Sequence, residues 1–105
     1  MRPHTFHIPT ETPRLYGTEK VEPKDKIVHF KLFDPCGRFT AYGFEYDPEE
    51  RIGFGYIVSA LGPDCDAMGY FSVEEIQGTR NRLGLYMEQD LYLKPKPLGQ
   101  LVKLA

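Results

Sequence analysis

The 105-residue sequence has no tryptophan, only two cysteines, and no apolar run approaching the roughly 18–20 residues of a membrane-spanning helix. Cys36 and Cys65 lie far apart and form no C-x-x-C pair, which excludes a zinc knuckle or a thioredoxin-like motif and reads as two reduced thiols. Cys36 falls in a turn, but no neighbouring base or cation marks it as a nucleophile. Also missing are the glycine-rich phosphate loop ending in Gly-Lys-Ser/Thr and the G-x-S-x-G elbow, so the usual nucleotide-hydrolase and esterase signatures are absent. The opening residues Met1-Arg2-Pro3-His4-Thr5-Phe6-His7 lack the apolar stretch of a secretion signal, and a cytoplasmic protein is expected.

Basic charge is scarce where acidic charge is dense. Residues 45–75 hold eight carboxylates, Glu45, Asp47, Glu49, Glu50, Asp64, Asp66, Glu74 and Glu75, against Arg51 alone, a local net of −7 in a chain whose formal net charge is −2. The remainder sums to +5, so the surface is expected to be dipolar and to select partners by side of approach. No nucleophile, base and oxyanion set can be assembled, and the chain is read as non-enzymatic and without a cofactor. The eight carboxylates together are the candidate partner-binding residues, provided that they gather on one side of the fold. A hydrolase built on paired carboxylates ranks last, because loops and first helical turns attract acids for ordinary electrostatic reasons.

What is present points to β structure. Seven tyrosines and seven phenylalanines favour strands, and the length suits one domain. Residues 1–26 carry Pro3, Pro9, Pro13 and Pro23 and read as an extended arm, with Leu15-Tyr16 as an apolar plug pinning it to a single domain over 27–105. From Ile27 the period is two, with Val28, Phe30 and Leu32 on one face and His29 and Lys31 on the other. Asp34-Pro35-Cys36-Gly37 predicts a turn, and a second strand over 38–46 sets Phe39 and the small Ala41 and Gly43 on one face against an aromatic row, Tyr42, Phe44 and Tyr46, on the other. Asp47-Pro48-Glu49-Glu50 predicts another turn, and Ile52, Phe54, Tyr56 and Val58 the apolar face of a third strand.

Beyond a loop at 60–66, Met68 to Phe71 reads as a short strand running into a helix. Ser72 and Glu75 form a capping-box pattern there, and Gly78 ends the helix within two turns. Leu83 to Leu93 predicts a further strand, with Leu85, Met87, Gln89, Leu91 and Leu93 on one side, and Leu98, Leu101, Val102 and Leu104 a terminal amphipathic turn. The fold class is therefore α+β: an antiparallel sheet of four or five strands, one short helix after the meander, a proline-rich N-terminal arm and a small C-terminal helix.

Two local patterns suggest ligands. Gly53-Phe54-Gly55-Tyr56-Ile57-Val58 partly resembles the RNP1 strand of RNA-recognition motifs, with Ile52 where that motif has a base and Ser59 where it has an aromatic. Its place inside the acidic block disfavours direct nucleic-acid binding, although a single-stranded nucleic-acid module using sheet aromatics is the second functional reading. His4 and His7 have metal-compatible spacing but lie on an arm that does not preorganise ligands, so no metal is expected.

Several blocks occur in an order similar to that of a small bacterial family of domain-of-unknown-function proteins encoded on plasmids, integrative elements and phages. They are Glu11-Thr12-Pro13-Arg14-Leu15-Tyr16, Lys26-Ile27-Val28, Phe33-Asp34-Pro35, Glu45-Tyr46-Asp47-Pro48-Glu49-Glu50, Gly69-Tyr70-Phe71-Ser72 and Glu88-Gln89-Asp90-Leu91-Tyr92-Leu93-Lys94-Pro95. The resemblance implies a mobile-element setting rather than a reaction, and it transfers no site residue. The expected function is a protein-binding accessory of such an element, an inhibitor of a host defence system such as anti-CRISPR or anti-restriction, whose acidic surface meets a basic host protein or nucleoprotein complex away from any membrane.

Overall fold

Alternating apolar side chains, two tight turns and one longer loop fold the middle of the chain into one antiparallel sheet. In the computed structural model, which describes residues 2–104, the strands are β1 (Ile27–Val28), β2 (Phe30–Phe33), β3 (Thr40–Asp47), β4 (Ile52–Val58), β5 (Ala67–Ser72), β6 (Glu88–Gln89) and β7 (Lys96–Pro97), with helix α1 over Val73–Gly78. The main sheet has five strands in the order β5-β4-β3-β2-β6, and β1 pairs separately with β7. The fold is α+β, as the sequence pattern predicts.

The two turns are closed by aspartate side chains and not by a left-handed glycine, since Gly37 has no positive φ. Asp34 accepts the Cys36 N–H at 2.9 Å on its Oδ1, and Asp47 Oδ1 accepts those of Glu49 and Glu50 at 3.0 and 3.4 Å. Ser72 caps α1 by accepting the Glu75 N–H at 3.1 Å, and the helix ends at Gly78.

Both faces of the sheet are covered. On the first, Phe30, Leu32, Ala41, Tyr46 and Phe71 pack with Val73 and Ile76 of α1, with Met87 and with Phe6 of the arm. On the second, Phe44, Tyr42, Phe54, Tyr56 and Met68 pack under Leu93, Leu98, Leu101, Val102 and Leu104 of the C-terminal segment, together with Val28. That segment turns as a 3-10 helix over Leu98–Gln100 and not as an α-helix.

Four expectations are corrected. The first strand is broken at His29, so Val28 joins the second face while Phe30 and Leu32 stay on the first. The row Tyr42, Phe44, Tyr46 is split by a bulge: pairing with β4 shifts between Gly43 and Glu45, which leaves Phe44 opposite no single residue and turns Tyr46 to the first face. The strand predicted over 83–93 shrinks to Glu88–Gln89. Asn81 accepts the N–H groups of Leu83 and Leu85 at 2.9 and 3.0 Å, holding a turn there, and Leu91 is exposed. The arm is pinned by Phe6, only 3% exposed, and not by Tyr16, which is 62% exposed. Burying the Phe6 ring contributes about 2 kcal/mol. Hydrogen bonds from Phe6 N to the Gln77 side chain, between the His7 backbone and the Gln89 side chain, and from Tyr46 N to Pro13 O complete the attachment.

Candidate functional site

Strand β5 forms one edge of the main sheet. Its inner pairing is fixed by the Val73 N–H bonded to Arg51 O at 2.9 Å, in register with Gly53↔Phe71, Gly55↔Gly69 and Ile57↔Ala67. Hydrogen-bonded pairs alternate in an antiparallel ladder, so the N–H and C=O groups of Met68 and Tyr70 point away from β4. Among the described residues no backbone or side-chain group bonds them. The stretch Ala67–Ser72 contains no charge and no proline, the devices with which sheet edges are commonly blunted.

Beside this edge the second face opens into a hollow of about 420 Å³ lined by Tyr16, Val21, Phe54, Met68 and Tyr70, with Glu45 and Lys26 at its base and Glu19 at its rim. The rings step outward from the core: Phe44 to Phe54 at 6.4 Å, Phe54 to Tyr70 at 4.9 Å and Tyr70 to Tyr16 at 6.5 Å between centroids. Tyr16, followed by partial burial and the charges of Glu45 and Glu19, holds the Tyr70 phenol above its usual pKa.

The base of the hollow is built by the bulge, which brings Glu45 opposite Phe54 and onto the second face. There the carboxylate, 3% exposed, accepts the N–H of Tyr16 at 2.7 Å and of Thr18 at 3.0 Å as well as the Thr18 hydroxyl. Tyr16 adopts a positive φ of 70°, an uncommon backbone state for a residue with a side chain, in presenting its N–H to Glu45. Lys26, also buried, donates to the Thr18 carbonyl and, at 2.9 Å, to its hydroxyl. Thr18 thus joins a buried acid to a buried base.

The structure divides the eight carboxylates singled out by the sequence. Glu45 is buried and belongs to the arm. Asp66 is consumed by Arg38, whose Nη1 and Nη2 lie 2.7 and 2.6 Å from its two oxygens; with the Ser59 N–H, this holds the Asp66 carboxyl below the usual range. Asp47 folds back onto its own turn. Glu49 and Glu50 project from the β3–β4 turn, at the sheet end where Ser72 leads into α1 with the exposed Glu74 and Glu75 in its first turn. Asp64 stands beyond the far end of β4, a strand of seven residues and therefore about 20 Å long. A single negative field across all eight is not formed, because the antiparallel meander sends the two acidic turns to opposite ends.

In a larger hollow of about 460 Å³ on the first face, between α1 and the Asn81 turn, Arg80, Asn81 and Asp34 are already engaged. Arg80 stacks on Tyr86 at 4.6 Å and donates to its hydroxyl at 2.7 Å, and Asn81 donates to Asp34 at 2.8 Å.

The sequence reading missed Tyr16 and Tyr70 as lining residues. The signal lay in the uncharged run Ala67–Ser72 between Asp66 and Glu74, which marks an undefended strand. None of the described helices is long and apolar enough to cross a membrane. No curated protein and no solved structure matches the chain. A sequence-family model matches residues 14–105, which take in the whole sheet, the edge strand and the aromatic hollow; the chain belongs to the family described as "Protein of unknown function (DUF2958)".

Proposed function

We propose that this protein is a non-enzymatic binding module that captures an extended segment of a protein partner by strand addition to β5. The observation that carries the reading is the row of outward N–H and C=O groups on Met68 and Tyr70, unpaired among the described residues, beside an aromatic hollow. An added strand gains main-chain hydrogen bonds from such an edge and specificity from pockets for alternate side chains. Here an apolar side chain of the partner enters beside Tyr16 and Tyr70. Basic residues flanking it meet Glu74 at one end of the strand and Asp64 at the other. The mobile-element setting implied by the sequence resemblance makes a basic host protein, such as a component of a defence complex, the partner class of this proposal.

Selection of a displayed peptide library on the purified protein tests it. Enriched peptides should alternate apolar β-formers between lysines or arginines and should slow hydrogen exchange at the Met68 and Tyr70 amides. Met68→Pro, which removes an outward donor without breaking the β4 ladder, should abolish their binding. Enriched peptides that bind Met68→Pro as well as the parent would overturn the proposal.

A further inference from the structure

At the opposite edge of the sheet, beside β2 and β6, the chain builds a second hollow of about 320 Å³, and its chemistry is the reverse of the first. Lys31, Lys94 and Lys96 line it with Tyr42 and Tyr92 over a floor that includes Leu101. Lys31 and Tyr42 are cross-strand partners, and the ammonium lies 5.7 Å from the Tyr42 ring centre and 5.5 Å from that of Phe33, so aromatic faces steady it in place. The remaining wall is the segment after β6. Asp90 N bonds Lys31 O at 3.0 Å and draws this segment against β2, and Asp90 Oδ1 accepts the Tyr92 N–H at 2.9 Å.

The stretch Lys94-Pro95-Lys96-Pro97 is used by nothing in the function argued above. Each lysine precedes a proline, a context that excludes the helical region and holds both in extended backbone. Pairing of β7 with β1 adds a second constraint at Lys96. Two residues apart on an extended chain, their Cα atoms are separated by about 6.6 Å, on the scale of successive phosphates in an extended single strand. The only carboxylate in this hollow is that of Asp90, partly spent on Tyr92, and among the described residues the one ion pair is Arg38–Asp66, so no acid neutralises these three lysines directly. Tyr92 is 92% exposed, so its ring is open to a ligand. Planar base faces stack on such a ring, and lysines fixed beside it take the flanking phosphates.

We infer that this lysine–tyrosine hollow binds single-stranded nucleic acid, with one base stacked on Tyr92 and adjoining phosphates on Lys31, Lys94 and Lys96. The surface differs from the β4 strand whose sequence resembles RNP1: Phe54 and Tyr56 pack against the second core cluster, and Phe54 also lines the β5 hollow. It also lies across the sheet from β5, so a nucleic acid and a protein partner can be held together, in accord with the charge split of the sequence.

Fluorescence anisotropy with a labelled oligothymidylate of about ten nucleotides, in about 50 mM NaCl, reads the inference directly. Binding should weaken with salt at a logarithmic slope near −2, the value for about three phosphate contacts to a single strand. Tyr92→Ala should reduce affinity at least ~5-fold, the low end for a stacked base, and the exposed position keeps the fold intact. Lys94→Gln with Lys96→Gln should reduce the slope to about −1 or less. Met68→Pro, which blocks strand addition at β5, should bind the oligonucleotide unchanged, so the two proposals fail separately. A free nucleoside monophosphate should compete only weakly, whereas full competition at equal concentration would assign the hollow to a mononucleotide and overturn the single-strand reading. No binding at low salt, equal affinity for duplex DNA, or indifference to Tyr92→Ala would overturn the inference as well.

Discussion

The ring of Phe30 occupies the space that a side chain on its register partner Gly43 would need: a Cβ built there would lie 2.1 Å from Phe30 Cζ. Phe30 also meets Phe71 and Tyr46 edge-on, at 6.0 and 6.1 Å between ring centroids, so it cannot retreat without disturbing the first core. Gly43→Ala should therefore destabilise the protein by about 1–3 kcal/mol, read as a loss in the denaturant midpoint, since overpacking a filled core forces side chains off their rotamers. The same substitution at Gly78, where nothing lies within 4 Å, should stabilise by about 0.5–1 kcal/mol through helix propensity. Equal effects at the two positions would refute the packing argument.

The same contact shows how far the sequence could be read. Alternation located β3, β4 and β5, and turn chemistry located their connections, because those signals act over a few neighbouring residues. Gly43 and Gly53 were visible as small residues in strands, but the rings of Phe30 and Phe71 that cover them arrive from other strands. The bulge at Phe44 and Glu45 left no local trace either. It results from pairing with β4, yet it decides that Tyr46 joins the first face and that Glu45 leaves the surface. Local charge alone places Glu45 among the exposed acids, whereas the bulge buries it and the antiparallel connection of β4 sets the remaining acidic turns apart.

Glu45 and Lys26 are expected to behave as one unit through Thr18. Glu45→Ala strands the Tyr16 and Thr18 amides and leaves the Lys26 ammonium buried near Phe44, 6.0 Å from the ring centre. The expected loss is about 1–3 kcal/mol, the cost of leaving buried donors without their acceptor. Lys26→Met alone should also destabilise, while the double variant should lose less than the two single losses added together. Urea denaturation of all four proteins measures the coupling, and strict additivity would show that Thr18 transmits nothing between the two charges. In the Glu45→Ala protein, protease cleavage after Arg14 and Lys20 should accelerate, because the arm's loop loses its anchor.

His29 supplies a pH dependence of known sign. It interrupts the edge between β1 and β2, donates its backbone N–H to Gly43 O at 2.9 Å, and has a buried Nδ1 without a hydrogen-bond partner. Burial lowers the imidazole pKa from its usual 6.5, and the charge of Glu11 opposes that shift only in part. The unfolded chain therefore takes up a proton first as pH falls, so stability is complete above about 6.5 and is lost as pH drops through the lower folded value. His29→Gln removes this titration. Between about pH 7.5 and 5.5 the parent's thermal midpoint should fall more than that of the variant, and parallel profiles would show that the imidazole titrates in the fold as it does in the unfolded chain.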